Sequence, residues 1–278
     1  MPELPEVEIA ARNLRSWALG RRIVKAEVEE GARRIFRPAR PVTFRSAVRG
    51  RRVAGVERRG KQLLIRLEGG PGAPPLGLLS HLGMTGKWVR RDGEAPAPPH
   101  SCARLRLEDG TVLHYRDPRL FGRLRLVPGA RFDAHPDLAA LGPDPLADGI
   151  DVGRLAAALA RRRAPIKVSL LDQGLLAGIG NIQASEALFR AGIDPRRASR
   201  ALGPAEVKRL AGSILASLRD TIVREEGPEP RYVEEPGSAN PFLVYAREGE
   251  QCPRCRCEPV GRVVQAQRST FFCRRCQR

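Results

Sequence analysis

The sequence predicts an α+β, multidomain protein: an N-terminal helix with an antiparallel β-sandwich, a helical domain, and a C-terminal β-hairpin zinc finger. Three observations carry this. Short alternating runs fill the chain up to about Val127 with no helical pattern between them. Helical periodicity takes over after residue 150. Of six cysteines, all but Cys102 lie at Cys252 or beyond.

From Pro5, the residues Val7, Ala11, Leu14 and Ala18 form one apolar stripe that Gly20 ends, which predicts a helix. The runs RRIVKAEVE, TFRSAVRG, RRVAGVERR, KQLLIRLEG and LGLLSHLG read as strands. Asp109-Gly110 turns a hairpin inside ARLRLEDGTVLHYRD, and GRLRLV closes the series, giving a domain over 1–130. Residues 131–150, rich in Pro, Gly and Asp, read as a linker. Over 151–240, DVGRLAAALARRR opens on an Asp N-cap and IKVSLLDQGLLAG runs into a Gly-rich turn before NIQASEALFRAGI. The last helix starts at Pro204, with apolar residues at 207, 210, 214, 218 and 222. The tail, 241–278, carries the cysteines.

The charge balance narrows the partners. Lys plus Arg number 49 against 31 acids, a net charge of +18. Genomic base composition accounts for the preference of Arg over Lys but not for the excess of positive over negative, so a polyanion, most simply nucleic acid, is expected. No apolar run approaches 18 residues, and the acidic first turn lacks a charged-then-apolar leader pattern, so no membrane partner and a cytoplasmic location are expected.

Cys252-x2-Cys255 and Cys273-x2-Cys276, with 17 residues between the pairs, have the spacing of a closed four-thiolate site for one structural Zn2+. Cys257 leaves the first pair open to a second choice. The intervening hairpin would carry Arg268 at its tip. In GLLAGIGNIQASE, Gly178 and Gly180 fit either a plain corner or a backbone cradle for phosphate beside Asn181, with Arg161–Arg163 and Lys167 upstream as cations. Met84, in HLGMTGKW, and Arg119 and Phe121, in YRDPRLFGRL, read singly as core. Taken together, with Arg119 and Phe121 on one strand face, they could fill a vacated position in a base stack.

The first residues, MPELPEVE, put Pro2 and Glu3 ahead of the helix. Favourable interaction with the helix dipole accounts for Glu6 and Glu8 but not for these two. Once Met1 is trimmed, Pro2 is a secondary amine, and an α-amino group, with a pKa of about 8, is far more often neutral near pH 7 than a lysine is. Such an amine can attack C1′ of a deoxyribose and form a Schiff base, with an adjacent carboxyl moving protons.

Through MPELPEVE, RRGKQLL, HLGMTG, RDPRLFG, LLDQGLLAGIGNI, VYAREGEQC and FFCRRCQR, the chain resembles the formamidopyrimidine-DNA glycosylases along essentially its whole length. The resemblance implies a catalytic sandwich, a helix–two-turn–helix DNA-binding domain over 151–240 and a zinc finger, with DNA bound in the cleft between. It implies base-excision repair of oxidised purines (8-oxoguanine and formamidopyrimidines) in double-stranded DNA. It further implies AP-lyase cleavage by β,δ-elimination, action as a monomer, and a bacterial cytoplasm with association to the nucleoid through the substrate. Carried over by position, Pro2 is the nucleophile, Glu3 the acid, Lys61 the cation assisting β-elimination and Arg268 the δ-elimination residue. Met84, Arg119 and Phe121 match the void-filling triad. His81, His100, Arg162, Asn181 and Tyr245 match phosphate contacts.

The chain departs from the family pattern in three places. EEGPEPRYV (225–233) replaces a Gly-Gly-Thr segment near the loop that covers the flipped base, which bears on lesion preference. Gln183 replaces a Tyr, and Ala246 and Arg256 replace glycines. Two other readings stay open at this level. One is a preference for oxidised pyrimidines, as in the endonuclease VIII group, against which Leu4 stands. The other is a binding-only protein, against which Pro2, Glu3 and Lys61 stand.

Overall fold

Pro5 lies in the first turn of a helix, where its missing N–H leaves no bond unmade and its fixed φ suits the helix. A computed structural model describes residues 2–229, 232, 233, 235 and 237–278. The chain divides into two compact units, Met1–Ala139 with Glu225–Tyr232, and Ala140–Arg224 with Val233–Arg278.

In the first unit, α1 (Leu4–Ala18) precedes β1 (Ile23–Val28), α2 (Pro41–Val48), β2 (Arg52–Arg59), β3 (Gln62–Glu68) and β4 (Leu76–His81). Then follow β5 (Lys87–Arg91), β6 (Ser101–Leu107), β7 (Val112–Arg116), β8 (Arg123–Pro128) and the short α3 (Pro136–Ala139). The strands form two four-stranded sheets, ordered β1-β6-β7-β5 and β2-β3-β4-β8, antiparallel throughout. Between them lies one core that takes Leu63, Ile65 and Leu78 from one sheet, Trp88, Leu105 and Tyr115 from the other, and Val7, Ala11, Leu14 and Trp17 from α1. The expected sandwich with its helix is therefore present.

TFRSAVRG, expected as a strand, lies instead mostly in α2. Pro41 starts that helix, and Phe44 and Val48, four apart, are the residues it buries. That spacing is one helical turn. The β2–β3 strands turn through Gly60 and Lys61, with Arg59 paired to Gln62 and Gly60 at φ 55°.

The second unit holds α4 (Val152–Ala160), α5 (Ile166–Leu170), α6 (Asn181–Ala191), most of α7 (Pro204–Glu225) and a hairpin of β9 (Gly261–Gln265) and β10 (Arg268–Phe272). Asp151 caps α4 by accepting the Arg154 N–H, as expected. The stretch expected to continue α5 is a turn organised by Gln173. Its amide donates to the carbonyls of Leu171 and Ile179 and accepts the Gly178 N–H. Gln183, where the family has Tyr, is buried between α6 and α7. It accepts from Ser217 at 2.8 Å and donates to Thr221 at 3.1 Å. Phe189 of α6 packs with Val244, Val260, Cys252 and Cys273, which seats the cysteine hairpin on that helix.

Candidate active site and metal centre

In the first unit, Pro2 is buried immediately before α1, and Glu3 is the N-cap residue, 1 % exposed. The Glu3 N–H donates to the Glu6 carboxylate at 2.7 Å, one arm of a capping box. Glu6 is thus no surface ornament of the helix dipole: it is 4 % exposed. Burial, then the charges of Glu225 and Glu3, push its carboxyl up from 4.5 to about 8. Three acids therefore gather around the start of α1. Met1, whose removal the amine chemistry requires, lies outside the described residues.

Lys61 reaches this neighbourhood through Arg58. The largely buried Arg58 donates to Glu8 of α1 at 2.8 Å and to the Gly60 carbonyl at 3.1 Å, so α1 and the Lys61 turn are joined. Burial opposes ionisation of Glu8, but the bonds from Arg58 and Arg12 outweigh it and hold the carboxyl below its ordinary range. Across the sheet, His81 pairs with Gln62. Its Nδ1 accepts the Gly83 N–H at 3.0 Å, which leaves the proton on Nε2. Burial, then Lys61 and Arg123, push the ring down to about 4, so at pH 7 it is a neutral donor.

The expectation that Arg119 and Phe121 share a strand face is not met. Both lie in the loop between β7 and β8, with Leu120 between them at φ 54°. The arginine lies over the phenyl ring, 4.8 Å from its centroid, and both side chains are exposed, as is Met84. What brings the two loops together is backbone contact. A Cβ on Gly83 would stand 2.5 Å from the Phe121 carbonyl carbon and 2.6 Å from the Gly122 nitrogen. The sequence reading missed Asp117, which fastens both loops. This wholly buried carboxylate accepts from Thr85 Oγ1 at 2.6 Å, Gly122 N at 2.7 Å and Arg119 N at 3.3 Å. Its own N–H donates to the carbonyl of His100, an exposed residue at φ 62°. Asp before Pro in RDPRLFG, a side chain suited to capping the turn that follows, was the available signal.

In the second unit, Asn181 opens α6 and is nearly buried. It accepts from the ammonium of wholly buried Lys167 and donates to the Ser269 carbonyl at 3.0 Å. Lys167 is therefore a tether inside the unit, not a surface cation, and the Gly178 N–H is taken by Gln173 instead of facing out. Arg162 pairs with Asp172 at 2.7 Å. Arg268 begins β10 and is exposed, directly after a two-residue turn whose Ala266 and Gln267 both have positive φ, 47° and 59°. Tyr245 packs edge-on against Phe271, and its N–H donates to Glu186. Glu186, also unforeseen, accepts in addition from Leu243 N and Val244 N, so one buried carboxylate holds three successive amides.

Sγ atoms of Cys252, Cys255, Cys273 and Cys276 all lie within 4.8 Å of one another, a cluster that could hold a metal ion. Cys257 is exposed and outside it, which settles the choice of pairs. Arg256 and Ala246 occupy left-handed positions, φ 55° and 57°, where the family has glycine. Cys102, buried and donating to the His100 carbonyl, has its thiol pushed up to about 11, mainly by burial, and is an inert part of the sandwich.

Residues 1–124 match the family model described as the formamidopyrimidine-DNA glycosylase N-terminal domain, and residues 141–229 match the H2TH domain of the same enzymes. The chain belongs to the formamidopyrimidine-DNA glycosylase family. It is thus related in full to DNA-repair glycosylases. Formamidopyrimidine-DNA glycosylase of Rhodospirillum centenum is 43 % identical, with all of both chains covered. That of Moorella thermoacetica is 43 % identical over 95 % of this chain and 94 % of its own. Among solved structures, MutM (Fpg) of Thermus thermophilus is 38 % identical, with 99 % and 98 % of the chains covered and a TM-score of 0.80. Lactococcus lactis Fpg in complex with abasic-site DNA is 28 % identical over all of both chains, with a TM-score of 0.85. Among the described residues, no helix is long and apolar enough to cross a membrane.

Proposed function

We propose that this protein is a bifunctional glycosylase and AP lyase that excises 8-oxoguanine and formamidopyrimidines from double-stranded DNA, with Pro2 as nucleophile. The observation that carries this reading is the Pro2–Glu3 pair, buried at the head of α1 and gripped there by Glu6. Complexes of Lactococcus lactis Fpg with abasic-site and Fapy-dG DNA support the substrate class.

Only the deprotonated amine of Pro2 has the lone pair to attack C1′. As the N–C1′ bond forms, the glycosidic bond breaks and its electron pair leaves with the base, which takes up a proton. Glu3 protonates the sugar ring oxygen, opening the ring to an iminium ion. Loss of a C2′ proton then expels the 3′ phosphate, and a second elimination expels the 5′ phosphate. Lys61 assists the first elimination and Arg268 the second. Met84, Arg119 and Phe121 fill the space left by the everted nucleotide, while His81, His100, Arg162, Asn181 and Tyr245 contact backbone phosphates. The domains proposed are a catalytic sandwich over 1–130, a linker over 131–150, a DNA-binding helical domain over 151–240 and a zinc finger over 241–278.

Zinc fits the cysteine cluster. Tetrahedral Zn–S bonds of about 2.3 Å require sulfurs roughly 3.8 Å apart, and Cys252–Cys276 and Cys255–Cys273 are each 3.8 Å apart. With four protein ligands the ion has no open position, so its role is to hold the hairpin that bears Arg268.

Borohydride reduction in the presence of an 8-oxoguanine:C duplex tests the mechanism. Wild type is expected to form a covalent adduct that Pro2→Gly does not. An adduct formed equally by Pro2→Gly would overturn the nucleophile assignment.

A further inference from the structure

The segment that replaces the family's Gly-Gly-Thr follows α7, and its described residues up to Tyr232 group with the sandwich unit. Its first attachments are to α1. Arg12 pairs with Glu226 at 3.2 Å, and Asn13 Nδ2 donates to the Gly227 carbonyl at 2.7 Å. Glu225 also bears on Glu6, the residue that grips Glu3.

Its far attachments are to the outward face of one sheet. Lys87 of β5 is paired directly with Arg116 of β7, and like charges directly opposite each other destabilise a sheet. Arg91 adds a third cation to that face. Glu229 sits between the two arginines, accepting from Arg91 at 2.8 Å and from Arg116 at 3.2 Å. The ring of Tyr232 lies 4.4 Å from the Lys87 ammonium, and its hydroxyl donates to the Gly86 carbonyl at 2.8 Å. Lys87 is 5 % exposed and Tyr232 6 %, so this seat is covered, unlike the solvated Arg12–Glu226 pair, which contributes little.

We propose that this segment is a strap that positions α1, and with it Pro2 and Glu3, and that Glu229 and Tyr232 are its anchors. Both act through the helix and touch no substrate. One end is seated on Arg91, Arg116 and Lys87 through Glu229 and Tyr232, and the other bonds the side chain of Asn13 in the body of α1. Release of the anchors therefore frees the backbone that braces the helix. The strap rests on the reading of Pro2 as nucleophile.

Single-turnover cleavage of DNA carrying a preformed abasic site tests it, because no base has to be recognised and the rate reports only attack by Pro2 and the eliminations that follow. Glu229→Gln and Asn13→Ala are expected to lower the saturated rate constant by roughly tenfold, since misplacing a reacting group by about an ångström costs up to ~100-fold. Half-saturation by DNA should not change. Glu229→Asp should recover part of the rate, and Tyr232→Phe, which keeps the ring over Lys87, should fall between. Amide hydrogen exchange of α1 in DNA-free protein gives a second readout that does not depend on the chemistry. It should quicken in Glu229→Gln over residues 4–14. The strap is overturned if abasic-site cleavage stays at the wild-type rate while only 8-oxoguanine excision falls, or if α1 exchange is unchanged. Failure of wild type to form the borohydride adduct would sink the nucleophile instead, and α1 exchange would then decide the strap alone.

Discussion

The backbone N–H of Glu3 is held by the carboxyl of Glu6 at 2.7 Å, so the residue beside the proposed nucleophile is fixed by an acid that is itself buried. This relationship sets a pH dependence. An unfolded glutamate titrates near 4.5, and Glu6 in the fold titrates at about 8, raised by burial, then by Glu225 and Glu3. Below the lower value both states are protonated, and its contribution to stability is fully present. Between the two, unfolding releases the proton, so that contribution declines, and it is lost once the pH passes the folded value. Glu6→Gln keeps an acceptor for the Glu3 N–H and removes the titration. Its thermal midpoint relative to wild type should therefore rise between about pH 5 and pH 9, by an amount equivalent to about 5 kcal/mol at most. A difference that stays flat with pH would show that Glu6 is ionised throughout.

His81 leads to the opposite expectation. Burial and the nearby cations Lys61 and Arg123 keep its ring neutral well below its ordinary 6.5, at about 4. Its ring proton resonances should not shift between about pH 5.5 and pH 8. A substitution such as His81→Ala should weaken DNA binding by the same factor at both ends of that range. A titration midpoint near 6.5 would mean that the Gly83 N–H does not hold Nδ1 in solution.

Asp117 was not among the residues read from the sequence, yet three donors from two loops end on it. Asp117→Ala would strand the hydroxyl of Thr85 and the buried N–H of Gly122 and let the Met84 and Phe121 loops part. Each charged hydrogen bond of this kind contributes about 1.5–3 kcal/mol, so the unfolding free energy should fall by roughly 3 kcal/mol or more in urea titration. Excision of 8-oxoguanine should fall further than cleavage of a preformed abasic site. Equal losses in both would place Asp117 in stability alone.

How far the molecule was legible follows from such residues. The sandwich could be read because its strands alternate inward and outward, as Leu105 and Leu107 do against Arg104 and Arg106. The cysteine cluster could be read because a single ion fixes the spacing of its ligands. TFRSAVRG could not, because Phe44 and Val48 suit a half-buried strand or one helical turn about equally, and only packing decides. Glu6 reads as an acid serving the helix dipole and Lys167 as a cation for phosphate, since the groups that meet them, Glu225 and Asn181, are distant in sequence or lie beyond a glycine-rich turn. Arg119 and Phe121 read as strand residues because nothing in the sequence announces the left-handed Leu120 between them.

The metal centre gives a prediction in which the two units report separately. Both tryptophans, Trp17 and Trp88, lie in the sandwich unit, so intrinsic fluorescence follows that unit and not the cysteine hairpin. Two five-residue strands cannot persist alone, and on the proposed reading the contacts of the hairpin with Phe189 depend on one zinc ion drawing Cys252 and Cys273 together. Cys273→Ser, or stripping wild type with a strong chelator, should release the equivalent of one zinc ion and loosen the turn that presents Arg268. Affinity for abasic-site DNA should drop about tenfold or more, the worth of one or two charge-assisted contacts. The tryptophan-monitored unfolding midpoint should stay where it is. Loss of that midpoint together with DNA binding would mean that the ion supports the whole chain, and full binding without metal would remove the hairpin from DNA recognition.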